Sequence, residues 1–184
     1  MAPWPLKIVR RFSTIPPNAR ENDYYAPYNK LLNIIFPPDS DYTVAPQSYS
    51  VPNSRDSVDF IIEFEVRLED KPILFLEIKE PSRIALKSAR EEADNQMRKR
   101  MGDLAPACPL DILCGVSAFG TQLSFYTYDK QTRILPVRIH PHPELETDTA
   151  PLNRWDCDIL EDEGAQRFQY LVAEIKRKCD QLEV

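Results

Sequence analysis

Lys71-Pro-Ile-Leu-Phe-Leu-Glu-Ile-Lys-Glu-Pro81 decides how this chain is read. It is an apolar run that ends in two opposite charges. In a strand, residues i and i+2 share a face. Leu74, Leu76 and Ile78 then make one wholly apolar face, and Glu77 and Lys79 point together to the other. The charged pair is expected at the end of a rigid strand, where a scaffold holds reactive groups still. The same tripeptide recurs as Glu174-Ile175-Lys176, where Phe168, Leu171, Ile175, Cys179 and Leu182 follow helical spacing. Residues two apart on a helix diverge, so only the copy at 77–79 is expected to converge on a ligand.

Working backwards, Val58 to Leu68 reads as a strand with Phe60, Ile62, Phe64 and Val66 on one face and Asp59, Ile61, Glu63 and Glu65 on the other. Glu69-Asp70-Lys71-Pro72 is turn chemistry, so the two strands form a hairpin. Strands that bury one face must bring their apolar sets together. A five-residue loop from Arg67 to Lys71 pairs Val66 with Pro72, and counting back sets Asp59 opposite Lys79 and Ile61 opposite Glu77. Asp59, Glu77 and Lys79 are thereby expected in one cluster. Tyr42 to Tyr49 is an earlier strand, interrupted by Pro46. Tyr24 to Phe36 reads as a helix with Pro27 in its first turn, a stripe of Tyr28, Leu31, Leu32 and Ile35, and a stop at Pro37-Pro38. Residues 1–20 carry four prolines and no periodicity, which predicts an extended arm.

Working forwards, Pro81-Ser82 is expected to open a helix running to about Met101, with Ser82 as N-cap. Ala85, Ala89 and Ala93 form a small-residue stripe, and Gln96, about three turns beyond Ala85, falls on the same sheet-facing side. Arg83, Lys87, Arg90, Arg98, Lys99 and Arg100 make this helix the main basic concentration in a chain of net charge −6. Leu110–Ser117, Leu123–Tyr128 and Arg133–Ile139 read as strands, residues 140–160 as irregular, and 163–182 as a closing amphipathic helix.

The 184 residues fit one domain, of α/β class, with a mixed central sheet flanked by helices: an arm over 1–20, a core over 21–118, and a β-meander with a C-terminal helix over 119–184. No apolar run approaches the ~20 residues of a membrane span, and no secretory signal is visible, so an intracellular protein of cytoplasm or nucleus is expected, with no membrane partner. Cys108, Cys114, Cys157 and Cys179 lack Cys-x-x-Cys spacing and are expected as reduced, buried thiols. His140 and His142 have no Cys pair at zinc-finger spacing.

The order helix, three strands, helix, strand, with Asp59, Glu77-Ile78-Lys79 and Gln96 in those places, resembles the PD-(D/E)XK nuclease superfamily. The resemblance covers residues 21–118. It implies a restriction-endonuclease-like αβββαβ core and metal-dependent hydrolysis of DNA, as an endonuclease. Asp59, Glu77, Lys79 and Gln96 would be catalytic. Mg²⁺ or Mn²⁺ would be held by Asp59, Glu77 and the Ile78 backbone carbonyl, with Glu21 as the nearest candidate for the first-helix acid. Two carboxylates and a carbonyl are oxygen ligands that suit a hard cation, and a lysine beside them can act on the attacking water or the transition-state charge. The basic residues of the long helix would contact phosphates of DNA, or of RNA, and a homodimer is compatible with the family. The blocks Asp23–Asn33, Val116–Leu123 and Arg154–Asp158 also resemble short proteins of mushroom-type fungi. Against catalysis stand the net acidity and Glu63, Glu65, Glu69 and Asp70 near the hairpin. The alternative expectation is a catalytically silent nuclease-like module that binds nucleic acid or a protein.

Overall fold

A computed structural model describes residues 3–50 and 60–182. Asp59, and with it the start expected for the second strand, lies outside the described residues. The centre is a mixed sheet of seven strands, β1 (Tyr42–Ser50), β2 (Phe60–Leu68), β3 (Lys71–Lys79), β4 (Ile112–Phe119), β5 (Gln122–Asp129) and the two-residue β6 (Ile134–Leu135) in that spatial order, with β7 (Cys157–Asp158) also paired to β5. Among the described strands only β3 and β4 run parallel; the other pairs are antiparallel. The parallel pair needs a crossover, and α3 (Lys87–Leu104) supplies it. Pro46 is tolerated because β1 is an edge strand.

Helices cover both sides. On the face of Phe64, Val66, Leu74, Leu76 and Ile78 lies α2 (Glu21–Ile35), whose Tyr25 ring stacks 5.3 Å from Phe64, together with α4 (Asp162–Cys179), whose Arg167 sits over Phe125. On the other face lies α3. There Gly115 permits close approach: a Cβ at that position would fall 2.7 Å from Phe75 and 2.8 Å from Met97. The four cysteines are free and buried, as their isolated spacing suggested.

Several boundaries differ from the expectation. The arm is not extended throughout: α1 (Leu6–Ser13) buries Ile8 and Phe12, and Trp4 donates to the Ile159 carbonyl at 2.6 Å. α2 begins at Glu21, three residues early, because the Asp23 carboxylate accepts from the Arg20 backbone at 2.8 Å and closes the first turn; Pro27 therefore sits inside the helix. Residues 81–85 form a short 3₁₀ turn and Leu86 is extended, so α3 starts at Lys87 and Ser82 is not its cap. Its hydroxyl bonds the Glu80 carboxylate instead. The strand expected over Arg133–Ile139 shrinks to two residues, since Pro136 cannot donate to a ladder.

Candidate active site

The hairpin register sets the site. The turn between β2 and β3 is only Glu69-Asp70, both in the left-handed region at φ 47° and 64°, the backbone of a tight two-residue hairpin turn. Leu68 pairs with Lys71 and Arg67 with Pro72. A bulge then leaves Ile73 unopposed, and Val66 meets Leu74. The partner of Glu77 is therefore Glu63, two residues along from the expected Ile61. The short turn and the bulge each move the register by one, so from Leu74 onward each residue keeps its expected face while its partner changes. Glu63, absent from the sequence-level site, lies directly across from Glu77.

Three glutamates, Glu63, Glu65 and Glu77, are buried on this face, each at 2% exposure or less. Buried carboxylates need compensation. Arg100, on the last turns of α3, supplies it with one fork: Nε donates to Glu63 Oε1 at 2.8 Å, and Nη2 donates to Glu65. Arg67 also donates to Glu65, at 2.8 Å. Glu77 has Lys79, whose Nζ lies 2.9 Å from its Oε1. The Lys79 ammonium is the charge partner of this buried oxygen. Burial raises the Glu77 carboxyl above its ordinary range, against the pull of Lys79. Burial likewise pushes Glu63 up to about 7, against Arg100 and with the charges of Glu77 and Glu65 adding to the rise.

The strand end is fixed from behind. The Gly120 N–H donates to the Lys79 carbonyl at 3.0 Å, and Tyr28 donates its hydroxyl to the Gly120 carbonyl at 2.8 Å. Gly120 adopts φ +62°, and a Cβ there would fall 2.8 Å from Pro81 and 2.9 Å from the Tyr24 hydroxyl oxygen. Glu21, the first residue of α2, comes to the same end. Burial raises its carboxyl, opposed by the neighbouring Lys79, the Glu80 backbone and Arg83.

Gln96 departs from its expected place. The 3₁₀ turn and the extended Leu86 break the phase counted from Ala85, so Ala89, Ala93, Met97 and Met101 face the sheet and Gln96 lies half-buried beside them. Its Nε2 donates to Glu92 at 3.2 Å, its Oε1 is buried without a partner, and no hydrogen bond joins it to Glu77 or Lys79 among the described residues.

The basic residues divide into two sets. Arg90 is 4% exposed and donates to the carbonyls of Ala150 and Ile84, each at 2.8 Å, and to Asp148 at 2.6 Å. Arg98 grips Asp94 and donates to the Pro136 carbonyl at 2.7 Å, and Arg100 serves the glutamates. These three hold the fold, because each is drawn inward by a buried acid or carbonyl. Arg83, Lys87 and Lys99 stay on the surface, Arg83 beside Glu92 at 3.8 Å and Lys87 beside Glu146 at 2.5 Å. A hub unforeseen in the sequence joins α3 to the segment after β6: Asp94 accepts from Arg98, from Arg154 at 2.6 Å and from the Tyr126 hydroxyl at 3.0 Å.

Among the described residues, no group of three or more His, Cys, Asp or Glu is arranged to hold a metal ion. They offer two carboxylates that are register partners across the hairpin, Glu63 and Glu77, each already paired with a cationic side chain. Carboxylate oxygens suit a hard cation, but the described set is two-membered and its members already pair with Lys79 and Arg100. No helix among the described residues is long and apolar enough to cross a membrane. No protein-family model matches the chain, and no curated protein and no solved structure matches it.

Proposed function

We propose that this protein is a metal-dependent endonuclease acting on DNA, built on a restriction-endonuclease-like αβββαβ core from α2 to β4 and working inside the cell. The observation that carries the reading is the convergence of Glu77 and Lys79, 2.9 Å apart on one face at the end of β3. The order of α2, the antiparallel β1–β3, α3 and the parallel β4 supports the same reading.

Glu77, the Ile78 carbonyl and Asp59 would hold Mg²⁺ or Mn²⁺, with Glu21 nearby. When bound, the ion supplies Lewis acidity toward a phosphoryl oxygen and lowers the pKa of a bound water. Lys79 orients the attacking water and offsets charge that develops in the transition state. Gln96, the fourth residue of the family-like set, lies on the flank of α3, where its Nε2 donates to Glu92. Arg83, Lys87 and Lys99 are the exposed cations available to the phosphate backbone.

The test is cleavage of plasmid and single-stranded DNA with Mg²⁺, Mn²⁺ or EDTA, followed by single-turnover rates. Lys79→Ala should slow cleavage ~10²–10³-fold, as loss of one electrostatic stabiliser does, with affinity measured in Ca²⁺ little changed and folding checked by circular dichroism. Lys176→Ala, in the helical copy of the tripeptide, should cleave at the wild-type rate. A wild type inert with every metal sinks the catalytic reading. A second reading then takes over, favoured by the inward turn of Arg90, Arg98 and Arg100 in a chain of net charge −6: a catalytically silent nuclease-like module that binds nucleic acid or a protein.

A further inference from the structure

The chain that leaves β5 keeps apolar side chains on the outside. Leu135 of β6, with Val137 and Ile139 just beyond it, are 45%, 50% and 37% exposed. Of the nine large apolar side chains exposed among the described residues, these three fall within five positions. Single exposed apolar residues are ordinary, whereas grouped ones mark interaction surfaces. The segment is firmly anchored from behind. Arg98 donates to the Pro136 carbonyl at 2.7 Å, Arg154 to the Val137 carbonyl at 3.1 Å, and Arg138 bonds the side chain of Asn95 on α3. Asp94, itself buried, holds Arg98 and Arg154 in place. Polar contacts thus occupy the inner side of the segment, and the apolar row is left in water at a cost in free energy.

The charge around the row is uneven. From Lys130 to Pro143 the chain carries Arg133, Arg138, His140 and His142 and no Asp or Glu, in a protein of net charge −6. Lys130 turns its ammonium to the Cys108 carbonyl. Arg133 and Arg138 are exposed, and neither has a carboxylate partner among the described residues. Exposed arginines elsewhere do find acids, as Arg167 does with Asp156 and Arg177 with Glu174.

We propose that residues 133–139 are a docking surface for an acidic segment of a partner protein that carries apolar anchors. Leu135, Val137 and Ile139 make the apolar contacts, and Arg133 and Arg138 meet the partner's carboxylates. Such a segment takes the apolar row out of water and gives both arginines the acids they lack; opposite charges that meet across an interface set partner choice and register. Nucleic acid would satisfy the arginines and leave the apolar row exposed. A second copy in a two-fold contact would set the same patch against itself, and with it the same two unpaired cations. The inference stands apart from the nuclease reading, because no residue of the Glu77–Lys79 site takes part in it.

The experiment selects short random peptides, displayed on phage, on the full wild-type chain, with counter-selection on a Leu135→Glu/Val137→Glu/Ile139→Glu variant. Recovered peptides should combine several apolar residues with a net negative charge. A synthetic peptide of the commonest sequence, followed by fluorescence polarisation, should bind the triple variant about tenfold or more weakly than wild type, the scale of losing interface anchors. Arg133→Glu/Arg138→Glu should weaken it by a similar factor, and added salt should weaken wild type more than Arg133→Gln/Arg138→Gln. Val137→Ser, a single change at an exposed position, should weaken it too, and serves where the triple variant fails to fold by circular dichroism. Recovered peptides that are basic or lack apolar residues overturn the inference, as does a selection that enriches nothing over the triple variant. Three direct probes overturn it in favour of another occupant. A dimeric mass in sedimentation that the triple variant loses assigns the surface to a second copy. Co-sedimentation with phosphatidylserine vesicles that the triple variant loses assigns it to a membrane. Binding of a single-stranded oligonucleotide that the arginine variants lose and the triple variant keeps assigns it to nucleic acid.

Discussion

Glu77-Ile78-Lys79 and Glu174-Ile175-Lys176 are the same three residues in two geometries. In both the isoleucine is buried, at 0% and 2% exposure, so the core asks the same thing of each. The charges differ altogether. On β3 they share a face, and Lys79 Nζ lies 2.9 Å from a glutamate that is buried. On α4 they part: Glu174 pairs with the exposed Arg177 at 2.9 Å, while Lys176 turns inward to donate to the Ile35 carbonyl at 2.5 Å and to cover the rings of Phe36 and Tyr42. A period of two concentrates like positions on one face; a period of 3.6 separates them. The strand copy thus spends stability to hold opposite charges in a dry place, and the helix copy is ordinary surface and capping chemistry.

The largest effect expected from this contrast is at Lys79. The sequence suggests that a strand-end lysine can be lost without harm to folding. The structure gives it 12% exposure and a buried partner, and removing one member of such a pair leaves an uncompensated charge that costs about 3–5 kcal/mol. Lys79→Ala should lower unfolding free energy by that order in urea at pH 8. In the double variant with Glu77→Gln most of the loss should return, because the stranded carboxylate is gone. A double variant as unstable as Lys79→Ala alone would show that the lysine stem, and not its charge, matters.

A middle-sized effect belongs to Glu63. Its folded carboxyl titrates at about 7, raised by burial from an ordinary 4.5. A raised acid favours the protonated folded form. Its contribution is fully present below about pH 4.5, where folded and unfolded chains are both protonated, and is lost as pH rises to about 7. Glu63→Gln cannot titrate. The stability of wild type relative to this variant should therefore fall by about 2–3 kcal/mol between pH 4.5 and 7.5, read from paired urea curves. A constant difference across that window would mean that Arg100 fully compensates the buried charge.

The two faces of β3 were legible in the sequence because alternation survives any register error of an even number. Leu74, Leu76 and Ile78 do meet the apolar face of β2. The partner of Glu77 was not legible. Nothing in Glu69-Asp70 announces a two-residue turn with both residues left-handed, a place where Gly or Asn is the usual sign, and a bulge at Ile73 leaves no mark in the pattern. α1 was hidden by the prolines around it, although Ile8 and Phe12 are four apart and both buried. The inward turn of Arg90, Arg98 and Arg100 depends on partners at Ala150, Pro136 and Glu63, dozens of residues away in sequence. A basic run on a helix looks the same whether it faces solvent or grips a distant strand.

The smallest effects are expected in the helix copy, and they complete the comparison. Lys176→Met keeps the stem over Phe36 and Tyr42 but deletes the hydrogen bond to the Ile35 carbonyl at the end of α2. One such bond is worth about 1 kcal/mol, so a small loss is expected, insensitive to pH between 5 and 8 because neither partner is a carboxylate. Glu174→Gln removes only an exposed pair three residues apart on a helix, of a kind that often contributes nothing measurable. Its urea midpoint should match wild type, and Mn²⁺ should raise the melting temperature of both helix variants as much as that of wild type. A Glu174→Gln variant that lost as much stability as Lys79→Ala, or that lost its response to Mn²⁺, would break the contrast. The convergence of charge on β3 would then no longer be what sets that copy of the tripeptide apart.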